Sequence, residues 1–215
     1  PTVEYREGLY VGYRYYQTAG VAPAFPFGFG LSYTSFAYSD LKATSDSVTL
    51  TVTNTGSCDG AEIVQIYVAK PDAKVFRPVQ ELKGFEKVKL AAGESKCVAI
   101  PLDDKAFRYW NTMTNAWEIE GGHYEIRVGA SCEDIRLTAT VEVAGTGAPN
   151  PYAGISLPHY ESGKVMNVPD AEWEVLLDRP IPDDTVKIDC NMTLGELKHS
   201  RSPLCWLVWL VLGIM

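Results

Sequence analysis

Apolar and polar residues alternate through much of the middle of the chain. In Ser47–Asn54, SVTLTVTN, the residues Val48, Leu50 and Val52 interleave with Thr49, Thr51 and Thr53, the period-two pattern of a strand with one buried and one solvated face. Glu62–Lys70, EIVQIYVAK, alternates less strictly, with Val64, Ile66 and Val68 on one face and Ile63 and Tyr67 on the other. Such a strand is covered on both sides. Further strands are predicted over Leu82–Leu90, Lys96–Leu102, Trp117–Ile119, His123–Gly129 and Ile135–Val143. Turn signals separate them: Ala91-Ala92-Gly93, Asn111–Asn115, and Gly121-Gly122 in the position of a two-residue hairpin. Seven short strands with no long helical pattern between them imply two packed antiparallel sheets in a unit of about 100 residues.

The flanks are built differently. Residues 1–35 run YREGLYVGYRYY and then AGVAPAFPFGFGLSYT, a structured linker in which Pro23, Pro26, Gly28 and Gly30 forbid a helix. Tyr5, Tyr10, Tyr13, Tyr15, Tyr16, Phe25, Phe27 and Phe29 are too many large rings for a solvated linker, and an apolar patch of that size marks an interface. Beyond Val143, GTGAPNPYAGISLPHYESG has the composition of a surface tether. PDAEWEVLLDR then predicts a short helix with Trp173, Leu176 and Leu177 on one face, stopped by Pro180 and Pro182. A last helix is expected from Asn191 or Thr193, with Leu194, Leu197 and the apolar run Leu204–Met215 as its stripe. That run is shorter than the roughly 20 residues that span a bilayer core. Packing on a protein surface is favoured over a membrane anchor, although Lys198, His199 and Arg201 before the run are also what an anchor shows. The expected organisation is a linker over 1–35, a sandwich over 36–145, and a tether with a short helical extension over 146–215. No internal repeat is visible.

Composition narrows the function classes. The 215 residues carry 19 basic and 27 acidic side chains, a net charge of −8, and no cluster of Lys and Arg, which argues against a nucleic-acid partner. Five cysteines with no CxxC pair argue against a disulfide framework or a zinc site. Free cysteines lean towards a reducing, cytoplasmic compartment and the apolar terminus towards a membrane. His123, His159 and His199 have no metal-ligand spacing. Gly28-Phe29-Gly30 lacks the third glycine of a dinucleotide fingerprint and reads as backbone packed tightly between rings. The acid pairs Glu4/Glu7, Asp103/Asp104, Glu133/Asp134 and Asp183/Asp184 read as solvated turn residues or caps rather than a general acid and base. Asn191-Met192-Thr193 fits a glycosylation sequon. No catalytic, cofactor-binding or metal residue is assigned, and no cofactor is expected.

Two ordered sets of motifs carry a resemblance. Glu7-Gly8-Leu9-Tyr10-Val11-Gly12-Tyr13-Arg14-Tyr15-Tyr16, followed by Phe25-Pro26-Phe27-Gly28-Phe29-Gly30-Leu31-Ser32-Tyr33-Thr34, resembles the C-terminal part of family 3 glycoside hydrolases, the β-glucosidase and β-xylosidase family. Val52-Thr53-Asn54-Thr55-Gly56, Gly60–Val68, Arg77-Pro78 and Glu81-Leu82-Lys83-Gly84-Phe85 resemble that family's fibronectin type III-like domain. The stretch Leu176–Pro182, LLDRPIP, is similar to an extension of some bacterial members. The resemblance covers about residues 4–143. It implies a mainly β, immunoglobulin-like sandwich that is the tail of a multidomain enzyme, a reading that also fits a chain beginning at Pro1.

Members of the family carry a nucleophilic Asp in an SDW-like motif on a (β/α)8 barrel and an acid/base Glu on a following α/β sandwich. Here Ser39-Asp40 and Ser45-Asp46 are followed by Leu41 and Ser47 instead of Trp, so neither is carried over. The implied parent reaction is retaining hydrolysis of a terminal β-linked sugar, which needs two carboxylates about 5 to 5.5 Å apart. This chain is therefore expected to be inactive alone and to scaffold the catalytic domains, its partners in the same polypeptide, which would bind the β-glycoside. The loop Lys70–Gln80, with Phe76 and Arg77 at its tip, is either a contact to those domains or an ordinary crossover. The alternative function is a free-standing carbohydrate-binding or adhesive module using Tyr109, Trp110 and Trp117. In the bland reading these tryptophans cover the open end of the core.

Overall fold

The computed structural model describes residues 3–181, 193, 195–200 and 202–213. They divide into two compact units, Glu7–Asn167 and Pro1–Arg6 with Val168–Met215.

The larger unit is a sandwich. One sheet has three strands in the order β1 (Phe36–Ala43), β2 (Ser47–Asn54), β5 (Ser95–Pro101). The other has four, in the order β4 (Glu81–Leu90), β3 (Gly60–Ala69), β8 (Gly122–Gly129), β9 (Ile135–Val143). A separate ribbon pairs β6 (Arg108–Asn111) with β7 (Ala116–Ile119), and every pairing is antiparallel. Alternation places the side chains. Val48, Leu50 and Val52 of β2 are buried between strictly alternating half-buried threonines, and they meet Val64, Ile66, Val68, Ile126 and Val128 of the facing sheet in one core. The central strand β3 is buried on both faces from Val64 to Ala69, as its looser pattern predicts.

Two strands have no counterpart in the sequence reading. β1 is masked by a bulge between Ser39 and Lys42, where Asp40 adopts φ +56° and the alternation slips. β6 is only four residues long. Gly121-Gly122 does not close a hairpin, because β7 pairs with β6 whereas β8 pairs with β3 and β9. The glycines permit a close approach instead, since a Cβ on Gly121 would lie 2.8 Å from the backbone nitrogen of Gly145. Ala91–Glu94 carries the chain from one sheet to the other, with the Ala91 N–H donating to the Glu94 carboxylate at 2.7 Å.

The flanking segments are more ordered than linker and tether compositions suggest. Helix α1 (Tyr13–Ala19) forms upstream of the prolines and ends at Gly20, φ +71°. The stretch read as a tether contains helix α2 (Pro158–Ser162), and Leu157, Tyr160 and Val165 are buried. Asn111 Nδ2 donates to the carbonyl of Pro149 at 2.8 Å, and Asn150 Nδ2 to that of Lys74 at 3.2 Å, so side-chain amides hold this irregular chain down.

In the smaller unit the Arg6 guanidinium donates to the Val168 carbonyl at 3.2 Å and to Asp170 at 2.6 Å. Helix α3 (Asp170–Leu177) ends at Asp178, φ +52°. Helix α4 (Pro203–Gly213) starts later than the sequence suggests, after a separate 3-10 turn at Glu196–His199. It is apolar all round rather than striped, with Leu204, Trp206, Leu207 and Val211 exposed. Among the described residues no helix is long and apolar enough to cross a membrane. Asp183/Asp184, the residues Asn191 and Met192 of the sequon, and the expected helix start at Asn191 lie outside the described residues.

Gly84 tests the packing between the sheets. A methyl group there would lie 2.8 Å from Cγ2 of Ile100 on the opposite sheet, a β-branched side chain with little room to turn. Gly84→Ala should lower stability by about 1–3 kcal/mol, read as a reduced urea midpoint with an unchanged slope.

Candidate interdomain surface

The strap from residue 21 to 35 has no regular structure, so its backbone polar groups need partners from elsewhere. Gln65, in the middle of β3, supplies one of them. Its buried Nε2 donates to the carbonyls of Gly28 at 3.3 Å and Ala130 at 2.5 Å, while its Oε1 accepts from the Tyr67 hydroxyl at 2.6 Å. Gly28 has φ +83°, and a Cβ there would lie 2.2 Å from Gln65 Oε1. Only glycine lets the strap lie so low over the amide. Next to it the Cys132 N–H donates to the Phe27 carbonyl at 2.9 Å. The Cys132 carbonyl accepts from Gln17 of α1 and from Gln80, both at 2.7 Å.

Asn54 anchors the far end. Its Oδ1 accepts from the Thr34 hydroxyl at 2.6 Å and from the Gly56 N–H at 3.1 Å, and its Nδ2 donates to the Cys58 and Leu90 carbonyls at 2.9 and 3.2 Å. A Cβ on Gly56 would lie 2.1 Å from the Thr34 hydroxyl, which gives the Asn54-Thr55-Gly56 motif its physical reason.

The aromatic rings of the strap and of the segment before it are divided between inside and outside. Tyr10 is buried and its hydroxyl donates to the Tyr160 carbonyl. Tyr13 stacks on Phe27 with ring centroids 4.6 Å apart and accepts the Leu82 N–H at 2.7 Å. Burial raises both hydroxyls above the usual tyrosine range. The remaining rings stay outside. Phe25 is 71% exposed, Leu31 84% and Tyr33 99%, and Phe29 lies 5.5 Å from Phe25. Tyr5 and Tyr16 are exposed and Tyr15 half-buried. Of the eight rings singled out from the sequence, Tyr5, Tyr16, Phe25, Phe27 and Phe29 are thus exposed, Tyr13 and Tyr15 half-buried, and Tyr10 buried.

Beside the exposed rings lies a recess of about 640 Å³ lined by Phe29, Phe36, Glu62, Asp134 and Arg136. Desolvation pushes the Glu62 carboxyl up, with the Ile63 N–H and the Arg136 guanidinium opposing it. Arg136 also bonds Asp134 at 2.9 Å and the Phe36 carbonyl at 2.9 Å.

The other candidate groups have structural partners. Phe76 and Arg77 are not an exposed tip. The Phe76 ring sits among Tyr152 at 4.6 Å and Tyr160 at 5.4 Å, and Arg77 pairs with Glu120 at 2.8 Å. Asp103 caps the 3-10 turn through the Lys105 N–H, and Asp104 pairs with Arg108 at 3.1 Å. The hydroxyls of Ser39 and Thr51 hold the Asp40 carboxyl below its usual range, and Ser45 donates to Asp46 at 3.2 Å. Glu4 pairs with Arg6, and His123 with Glu142 at 2.5 Å. His199 lies in the 3-10 turn before α4. Among the described residues no group of three His, Cys, Asp or Glu side chains is arranged to hold a metal. Trp110 and Trp117 stand edge to face with centroids 5.4 Å apart and stay half exposed. Gln65, Gln80 and Cys132 are given no role of their own in the sequence reading. A polar Gln inside the apolar run EIVQIYV is the signal that marks the first of them.

Residues 62–132 match the model of the fibronectin type III-like domain. The exo-α-(1→6)-L-arabinopyranosidase of Bifidobacterium breve is 51% identical over 154 residues, 69% of this chain and 20% of that protein. Thermostable β-glucosidase B of Acetivibrio thermocellus is 51% identical over 152 residues, 67% of this chain and 20% of that protein. The crystal structure of the Bifidobacterium adolescentis GH3 β-glucosidase superposes with a TM-score of 0.63 at 37% identity, covering 94% of this chain and 25% of that one. This chain matches the fibronectin type III-like region of the family 3 glycoside hydrolases. It spans about a fifth of the length of the curated relatives it matches.

Within this region the strap is held at Gln65 and Cys132, and a thiol reports on it. Burial pushes the Cys132 thiol up, so it should alkylate after the exposed Cys58 and Cys97. Gly28→Ala, strained at φ +83° and colliding with Gln65, should cost about 1–3 kcal/mol. It should also bring Cys132 labelling forward, read peptide by peptide by mass spectrometry.

Proposed function

We propose that this chain scaffolds the catalytic domains of a larger glycosidase, with the strap as the contact surface. The observation that carries the reading is that Phe25, Phe29, Leu31 and Tyr33 are exposed on backbone clamped from beneath by buried amides. A mobile linker would collapse such rings onto the sheet. Here they are held out, and covering a Phe side chain is worth about 1.5–3 kcal/mol. In this reading residues 1–35 join the sandwich of 36–145 to a preceding α/β-sandwich domain, and 146–215 form an extension.

The parent would hydrolyse a terminal glycosidic bond by the retaining route, one carboxylate forming the glycosyl-enzyme and a second carboxyl giving and then taking a proton. Neither carboxylate is assigned to this chain. Two relatives equally similar across this region are named for different substrates, arabinopyranosides and β-glucosides. That supports placing sugar specificity on other domains.

Hydrolysis of p-nitrophenyl β-glucoside, β-xyloside and α-L-arabinopyranoside should be absent with the 215-residue chain and present when it is extended upstream through the catalytic domains. Turnover by the short chain would overturn the reading. The triple change Phe25→Ser, Phe29→Ser, Tyr33→Ser should leave the thermal midpoint of the isolated chain unchanged and reduce its binding of a hydrophobic dye. In the extended protein the same change should lower the temperature at which this region unfolds, read by calorimetry beside the unchanged extended protein.

A further inference from the structure

The ribbon β6–β7 carries a second exposed aromatic feature, separate from the strap. Arg108, Trp110, Trp117 and Ile119 share one face, with Trp110 directly opposite Trp117 and Arg108 opposite Ile119. Ile119 packs on the core, whereas Trp110 keeps 44% and Trp117 55% of its surface in solvent. Cross-strand aromatic pairing, worth about 0.2–1 kcal/mol, accounts for the two rings meeting. It does not account for half of each being left in water.

The ribbon is rigid. The Asn111 amide is buried, its Oδ1 accepting from the Met113 N–H at 2.9 Å and its Nδ2 donating to Pro149. The indole planes cross at 78° and so form a corner rather than a flat plate. Planar polar groups stand at that corner. The Arg108 guanidinium lies 4.8 Å from the Trp117 ring centroid, and it bonds the largely exposed Asp104 carboxylate at 3.1 Å.

We propose that this corner binds a β-linked oligosaccharide. A pyranose has an apolar C–H face and a rim of hydroxyls. The indoles supply apolar surface for the first, while Arg108 donates to and Asp104 accepts from the second. Convergent polar groups on a prearranged aromatic wall are the ingredients of a small-molecule site. The choice of sugar linkage rests on the glycosidase reading above; the corner itself does not.

Cellohexaose and laminarihexaose titrated into the purified 215-residue chain, followed by calorimetry and tryptophan fluorescence, should give saturable binding with Kd about 0.1–1 mM. Trp110→Ala and Trp117→Ala should each weaken it about tenfold or more. Because removing a cross-strand ring can loosen the ribbon, Trp117→Tyr, which keeps an aromatic pair, and Arg108→Gln, which leaves both indoles, complete the set. Both should bind several-fold more weakly at an unchanged thermal midpoint. No binding of either sugar, or wild-type affinity in all four variants, would overturn the proposal. Failure here leaves the scaffold test above untouched, since that test reads activity and stability of the extended protein.

Discussion

The structure depends on a side-chain amide placed in the fully buried stretch of a strand, Val64–Ala69 of β3. Gln65 is buried in the middle of β3, and its amide is paired on both sides, with two strap and loop carbonyls and with the Tyr67 hydroxyl. A buried amide without partners would be costly, and a strap without partners would leave its own backbone unsatisfied. Each solves the other's problem, so sandwich and strap are stabilised together. Asn54, Gln80 and Asn111 repeat the device: each is buried and each bonds the backbone of an irregular segment. The irregular segments that these amides bond are thereby tied to the sandwich.

That arrangement decides where the aromatic rings go. Tyr10 is drawn inwards by its hydroxyl's bond to the Tyr160 carbonyl, and Tyr13 is held against Phe27 where Gln17, Gln80 and Cys132 tie helix and strap together. Phe25, Phe29 and Tyr33 are left outwards by the same pins, since glycine at position 28 lets the strap lie against the sheet with no space beneath for a ring. An exposed apolar row on rigid backbone is preorganised for a partner and loses little conformational entropy when covered.

The sandwich was largely legible in the sequence because burial on one face writes a period of two, as β2 shows residue by residue. Legibility failed where another constraint overrode that period. The bulge at Asp40 scrambled β1, and four residues of β6 are too few to display any period. Gly121-Gly122 has the composition of a hairpin, yet its glycines serve a close approach to Gly145. The flanks misled for a common reason: composition reports how a segment compares with a core, whereas 144–167 and the strap are held by amides distant in sequence. The motifs that carried the family resemblance fared better, because they are the positions where those long-range constraints act. Gly28, Thr34, Asn54 and Gly56 are each fixed by a contact that the structure shows.

The same logic bears on how one tail serves enzymes of different specificity. The contacts that define the region, Gln65 to Gly28, Asn54 to Thr34, Gln80 to Cys132, are all internal. They shape the outward face and read no sugar. Contacts of this kind fit a region that is 51% identical both to a relative named as an arabinopyranosidase and to one named as a β-glucosidase. The β6–β7 corner differs in kind. Its two indoles meet across the ribbon and beside Arg108 with half of each left in water, and it is on that open surface that the proposed sugar site rests.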